Sequence, residues 1–228
     1  HKGLMNRVYH WVRRVMLARK ARLVKHNSRL SQGSLLDIGT GTGYFPHFMQ
    51  ERGWHVSAIE KSPQARQFAK EHFELDVAAP EALNEFADKS FDVITLWHVM
   101  EHLEHLNETW ETLKRILKDQ GILIIAVPNP TSFDAEKYKE MWGAYDVPRH
   151  LWHFSPSVMQ QFGAKHDFIL CERHPMPFDA FYVSMLSEKY RKSAFPFIKG
   201  LITGAEAWIV SLAKKDRSSS MIYVFRKK

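Results

Sequence analysis

Residues 35–43 read Leu-Leu-Asp-Ile-Gly-Thr-Gly-Thr-Gly, an apolar run carrying one acid and closing on three glycines at alternate positions. The run Leu35–Ile38 has the length and composition of a buried strand, and the residues after Gly43 have those of a helix. Glycines between them let the backbone turn tightly and approach a ligand that side chains would block. A helix opening just after such a turn presents free N–H groups and the positive end of its dipole, which suits an anionic group.

Outward from that stretch the same alternation repeats. His55–Glu60 is predicted as strand two, and Ser62-Pro63 starts the next helix, with proline where its missing N–H costs nothing. A weak third strand is expected near Phe73–Val77, a fourth at Phe91–Leu96 and a fifth at Gly121–Val127. Asn107 is expected to cap a helix running to Leu117, with Trp110, Leu113 and Leu117 as its packing stripe. Residues 129–154 show no sustained period and are expected to form a long loop. Ser155-Pro156 opens a helix to about His166, Phe168–Arg173 makes strand six and Met221–Phe225 the last strand. Strands alternating with helices indicate βαβ units and a parallel sheet.

A chain of 228 residues accommodates one such α/β domain with insertions. The domain is expected over residues 34–228, with a cap-like helical insertion at about 175–220 whose aromatic and aliphatic residues must bury against something. Ala194–Ala213 approaches the length of a membrane span, but Lys199 and Glu206 interrupt it. The single cysteine, Cys171, excludes an internal disulfide and a multi-cysteine zinc site; it is expected in the core, and the composition fits a reducing, cytoplasmic setting.

The net charge of +7 is local. Residues 1–36 hold nine basic residues and no acid, which leaves 23 basic against 25 acidic residues beyond. Residues 1–33 are expected as a basic amphipathic helix ending near Asn27, with Leu4, Val8, Trp11, Val12, Val15 and Met16 docked as an apolar stripe; the rival reading places it on an anionic membrane surface. Confinement of the charge to one helix argues against nucleic acid as a partner. Because the sequence starts at His1 rather than Met, an upstream segment is expected to be missing.

A glycine loop alone suits a pyrophosphate as well as a carboxylate. Here the spacing is GxGxG rather than GxGxxG. Asp37 lies two residues before the first glycine, where it favours a cationic ammonium or sulfonium and does nothing for a pyrophosphate. Glu60 ends strand two and can accept hydrogen bonds from both hydroxyls of a ribose. Together these features favour S-adenosyl-L-methionine, with S-adenosyl-L-homocysteine as product, over a nicotinamide dinucleotide. The rival classes are a cofactor-binding scaffold without catalysis and a nicotinamide-dependent dehydrogenase.

From about Ser34 to His166 the chain resembles the class I S-adenosylmethionine-dependent methyltransferases, through LLDIGTGTG, HVSAIEKS, FDVITLWHVMEHL and GILIIAVPNP. The segment from PNPTSF to PRHLWHFS is similar to a bacterial subgroup near the ubiquinone-biosynthesis O-methyltransferases and the sugar and small-molecule methyltransferases. The resemblance implies a Rossmann-like seven-stranded sheet, mostly parallel with the last strand antiparallel, flanked by helices. It implies that Asp37, Gly39, Gly41 and Gly43 wrap the methionine part of the cofactor, that Glu60 holds the ribose, and that Leu96 and Trp97 border the methionine and sulfonium; Lys61, beside Glu60, is also expected among the cofactor-binding residues. Ala78-Ala79-Pro80-Glu81-Ala82 departs from the family's usual adenine contact.

Methyl transfer from a sulfonium needs mainly alignment of the acceptor, and an oxygen acceptor also needs its proton removed. His98, Glu101, His102 and His105 would share a helical face if a helix began after strand four. His98 and His102 are the expected bases there, and His150, in the cluster PRHLWHF, is a third catalytic candidate. No metal is expected. The resemblance to quinone O-methyltransferases leaves His98, Glu101 and His102 as an alternative divalent-metal set, although the first acid of that set is a histidine here. The expected acceptor is a small molecule, apolar or membrane-associated, with peripheral contact to the inner face of a membrane through residues 1–33 or 178–213; the sequence leaves the oligomeric state open.

Overall fold

The computed structural model describes residues 2–228, with side chains from residue 10 onward. Lys2–Ser28 forms α1, Ser34–Ile38 β1, Tyr44–Gln50 α2, His55–Ile59 β2, Pro63–Phe73 α3 and Val77–Ala78 β3. Phe91–Trp97 forms β4, Leu106–Ile116 α4, Leu117–Pro128 β5, Phe133–Tyr138 α5 and Pro156–Lys165 α6. Phe168–Pro175 forms β6, Asp179–Tyr190 α7, Pro196–Ala213 α8 and Ser220–Lys227 β7. The strands follow the order β3-β2-β1-β4-β5-β7-β6. Contacts divide the chain into two compact units, His1–Thr95 with Thr112–Leu123, and Leu96–Glu111 with Ile124–Lys228.

In the first unit β1 runs parallel to β2, pairing Ser34 with His55 and Ile38 with Ile59, and β2 runs parallel to β3. Ser62 caps α3 by accepting the N–H of Ala65, and Pro63 occupies the first turn. The third strand lies later than expected. Helix α3 runs through Phe73, and Glu74 closes it in the left-handed conformation (φ 55°), so pairing starts only at Val77, opposite Ala58.

Of the expected stripe of α1, Val15 and Met16 are half-buried, whereas Trp11 is 66% exposed and Val12 is exposed as well. The buried residues of the helix lie nearer its end, at Val24 and Asn27. What holds the middle of the helix to α2 is cationic: the Arg13 guanidinium lies 3.9 Å from the ring centre of Tyr44, and the Lys20 ammonium is near Phe45. Leu4 and Val8 fall outside the residues whose side chains are described.

In the second unit the residues of β5 from Ile124 to Val127 are all fully buried, as expected of a strand covered on both faces. Strand β6 pairs antiparallel with β7, from Phe168 opposite Lys227 to Pro175 opposite Met221. The register shifts between Leu170 and Glu172, so Cys171 is the extra residue of a β-bulge. This corrects its expected place in the core: Cys171 is exposed, because the bulge lifts it out of the alternation.

Asn107 lies inside α4 rather than before it, and its amide oxygen accepts instead from Lys165 Nζ (3.0 Å) and contacts His166 Nε2 (3.1 Å). Trp110 is fully buried, with the rings of Phe162, Phe168 and Phe225 packed edge-on against it. The expected loop at 129–154 contains α5 and two short 3-10 turns. It is ordered by buried polar contacts, with Asp134 accepting from Trp142 Nε1 and Ser219 Oγ, both at 2.7 Å.

Helices α7 and α8 make up the insertion. A Cβ at Gly200 would lie 2.6 Å from Met185 Cα, and one at Gly204 2.7 Å from Phe181 Cα, so the two backbones meet at closer than side-chain distance. Gly204→Leu is expected to force the helices apart and to destabilise the protein by about 1–3 kcal/mol, seen as a lower thermal midpoint. An unchanged midpoint would show that the hairpin is not tightly packed.

Candidate functional site

The first unit carries the donor half of the expected site. The N–H groups of Gly39 and Thr40 both donate to Ile59 O, at 2.7 and 3.0 Å, so the turn after β1 is stitched to the end of β2. Gly41 N donates to Glu60 Oε2 at 2.7 Å, and Ser62 N to Glu60 Oε1 at 2.9 Å. One carboxylate thus ties the glycine turn to the start of α3, and each oxygen keeps a further lone pair. The carbonyls of Glu60 and Lys61 both accept from Arg66. The side chain of Lys61 points into an exposed environment.

The glycines are not equivalent. At Gly41 (φ 57°) an added Cβ would meet nothing within 4 Å, so the conformation excludes a side chain while the space beside it stays open. At Gly43 (φ 85°) it would lie 2.9 Å from Ala69 Cβ, so this glycine admits α3.

Asp37 is 2% exposed and accepts from Thr95 Oγ1 at 2.5 Å. Burial pushes its pKa from 3.8 up to about 6, against the pull of the Thr95 hydroxyl and of the Lys20 charge. A buried carboxylate so raised is poised for a cation that would lower it again.

The second unit begins at Leu96 and Trp97, both buried, which follow Thr95 directly along the chain. His98 has positive φ (57°) and donates its N–H to Ala126 O. The expected helix does not follow. Residues Met100–His102 make a single 3-10 turn, and α4 starts only at Leu106, which leaves His105 exposed between the two.

His98 Nε2 lies 3.1 Å from Asp179 Oδ2, and its Nδ1 lies 3.5 Å from Glu101 Oε1. Burial draws the pKa of His98 down, but the neighbouring carboxylates of Asp179 and Glu101 outweigh it and raise the group to about 10. His98 is therefore an imidazolium at neutral pH.

The PRHLWHF cluster comes to the same turn. Leu151 N and Trp152 N both donate to Glu101 O, and Trp152 Nε1 donates to Leu103 O at 2.8 Å. His102 Nδ1 lies 2.9 Å from Arg149 O and His150 Nδ1 lies 2.8 Å from Ala144 O. A carbonyl can only accept, so both Nδ1 atoms carry the proton and both Nε2 atoms keep their lone pairs in the neutral rings. The two rings meet edge to face with centroids 4.6 Å apart. Burial lowers the pKa of His150.

Between them sits Glu101, 1% exposed, with neither carboxylate oxygen hydrogen-bonded. Ligand atoms of Glu101, His102 and His150 lie within 4.8 Å of one another. The structure thus groups Glu101 and His102 with His150, while His98 turns to Asp179. Sequence reasoning missed Asp179 altogether: it stands alone in the aromatic run Pro177-Phe178-Asp179-Ala180-Phe181, and nothing local marks it.

Comparison with known proteins adds an independent line. Residues 8–171 match the family described as a methyltransferase domain. An uncharacterized methyltransferase of Staphylococcus carnosus is 33% identical over 112 residues, 48% of this chain and 53% of the relative. A ubiquinone biosynthesis O-methyltransferase of Pelagibacter ubique is 34% identical over 104 residues, 42% of each chain. The chain spans about half the length of the curated relatives it matches. In three dimensions it is similar to Haemonchus contortus phosphoethanolamine N-methyltransferase 2 in complex with S-adenosyl-L-methionine, with TM-score 0.60 and 21% identity over 92% of this chain and 52% of that one.

Proposed function

We propose, from the premise that this chain belongs to the family of S-adenosylmethionine-dependent methyltransferase domains, that it methylates an oxygen of a small, apolar or membrane-associated acceptor. The observation that carries the donor side is the joint placement of Asp37, Gly41 and Glu60: a buried acid whose pKa burial has raised, an open backbone turn and a carboxylate locked at the end of β2. These residues fit the expected donor. Asp37 would face its ammonium, Gly41 would leave room for the methionine part and Glu60 would take the ribose hydroxyls, with Gly39, Gly43 and Lys61 shaping the turn. When bound, S-adenosylmethionine supplies a methyl group whose departure leaves a neutral thioether.

What remains for the protein is to hold the acceptor and remove its proton. In this reading His102 and His150 do so through their Nε2 lone pairs, and Glu101 steadies the charge that results. His98, an expected base, has instead the role of a fixed cation, because Asp179 keeps its proton on. An oxygen acceptor is favoured by the bases and by the O-methyltransferase relatives, which match 42% to 60% of this chain.

A second reading shares the same atoms. Two histidines that each donate Nδ1–H to a carbonyl, beside a buried carboxylate with no hydrogen bond, match the usual arrangement of ligands for a divalent cation. The set would be Glu101, His102 and His150.

Calorimetry with S-adenosylmethionine, S-adenosylhomocysteine and NAD tests the donor assignment, and a radiolabelled methyl-transfer screen over phenols and other hydroxyl compounds tests the acceptor. Binding of both sulfur nucleosides without NAD is expected, followed by transfer to at least one hydroxyl compound. Binding of NAD in their place would sink the reading, and nucleoside binding with no transfer to any acceptor class would point to a scaffold without catalysis.

A further inference from the structure

Helix α8 is amphipathic in the inverted sense. The face against α7 is made of small or hydroxylated residues, Gly200, Thr203, Gly204, Ala207 and Ser211, all buried. The opposite face carries the large apolar ones: Phe197, Ile198, Ile202, Trp208, Ile209 and Leu212, of which Phe197 and Leu212 are 64% exposed and Ile209 61%. A surface helix of a water-soluble domain places these two sets the other way round. Along an 18-residue helix, ~27 Å long, the outward set runs from Phe197 to Leu212, and large uncovered apolar patches mark interaction surfaces. No helix among the described residues is long and apolar enough to cross a membrane.

The charge around the stripe is ordered. Lys189, Lys192, Lys199, Lys214 and Lys215 are exposed at its ends and flank. The acids of the same hairpin are engaged elsewhere in the second unit: Asp179 with His98, Glu188 buried against the Tyr138 hydroxyl, and Glu206 with Lys137. Large apolar side chains between lysines are what an interfacial helix presents to anionic lipid. The same lysines would face one another across a pair of such hairpins, which disfavours a second copy of this chain as the occupant.

We infer that the outer face of the α7–α8 hairpin docks on an anionic membrane surface, with α8 lying in the plane of the headgroups. The inference concerns the second unit alone and stands whether or not the donor assignment holds.

Flotation of the full chain with phosphatidylcholine vesicles, with and without phosphatidylglycerol, tests it. Partitioning is expected to rise about tenfold or more when phosphatidylglycerol is present, since each lysine near the surface contributes, and to fall as salt is added. The Ile198→Ser/Ile209→Ser variant touches no packed face and is expected to keep its thermal midpoint while losing about tenfold or more in vesicle binding, since both side chains insert in the bound state. Lys199→Glu/Lys214→Glu should lose only the phosphatidylglycerol-dependent part. Absence of flotation with either vesicle, binding unchanged in the Ile198→Ser/Ile209→Ser variant, or a dimer in light scattering that the same variant dissociates without any vesicle binding would each overturn it.

Discussion

Asp37→Asn is expected to weaken binding of S-adenosylhomocysteine by about a hundredfold near neutral pH, the scale of a lost charge-assisted bond, while raising the thermal midpoint of the ligand-free protein. The two effects have one origin. Below the ordinary value of 3.8 the folded and unfolded states both hold the Asp37 proton, and the group contributes nothing to their difference. As pH rises from there to about 6 only the unfolded state releases it, and above about 6 the native state carries a buried charge. The shift corresponds to about 3 kcal/mol, at 1.36 kcal/mol per unit. Asparagine keeps an oxygen for Thr95 Oγ1 and has no charge to bury, so up to that amount of stability is regained at neutral pH and none below pH ~4. The wild-type protein should accordingly bind its cationic ligand less well below pH ~6, where Asp37 takes up a proton. Calorimetry and thermal melts across pH check both arms, and an Asp37→Asn protein that binds normally, or melts lower, would remove Asp37 from the donor site.

The geometry of the proposed donor half was legible because it is local. One βαβ unit brings Asp37, the glycine turn, Glu60 and Ser62 together. The turn chemistry even exceeded the reading, since Gly41 and Gly43 proved to serve different ends, one leaving space and the other admitting Ala69 of α3. The proposed acceptor half is built from distant segments. Only folding brings His150 to the Glu101 turn, through the backbone bonds from Leu151 and Trp152, and Asp179 to His98. Where tertiary partners decided, local expectation failed. Asn107 looked like a cap but serves Lys165 and His166, and Cys171 looked like a core thiol until a one-residue bulge turned it outward. Helical periodicity over His98, Glu101, His102 and His105 misled for a related reason: the 3-10 turn holds only Glu101 and His102, while His98 precedes it and turns to Asp179.

Removing both histidines, in His102→Ala/His150→Ala, is expected to lower turnover by about 10²–10⁴, the usual worth of general-base catalysis, with S-adenosylhomocysteine affinity unchanged. Retained turnover would sink the assignment of either as base. The loss alone does not separate a base from a cation site, but Glu101→Gln does. Glutamine keeps the shape and removes the charge. If the histidines act as bases, Glu101 serves only to stabilise the imidazolium formed, and its loss should lower turnover by roughly tenfold, the scale of one screened charge contact. If Glu101, His102 and His150 hold a divalent cation, the same variant should fall to the level of the double histidine variant, and a chelator should bring the wild type there too, with added metal restoring it. His98→Gln separates further: a fixed cation contributes through charge, so this variant should lose turnover while His98→Lys recovers part of it. A base could not be replaced in that way, because lysine beside Asp179 and Glu101 would stay protonated.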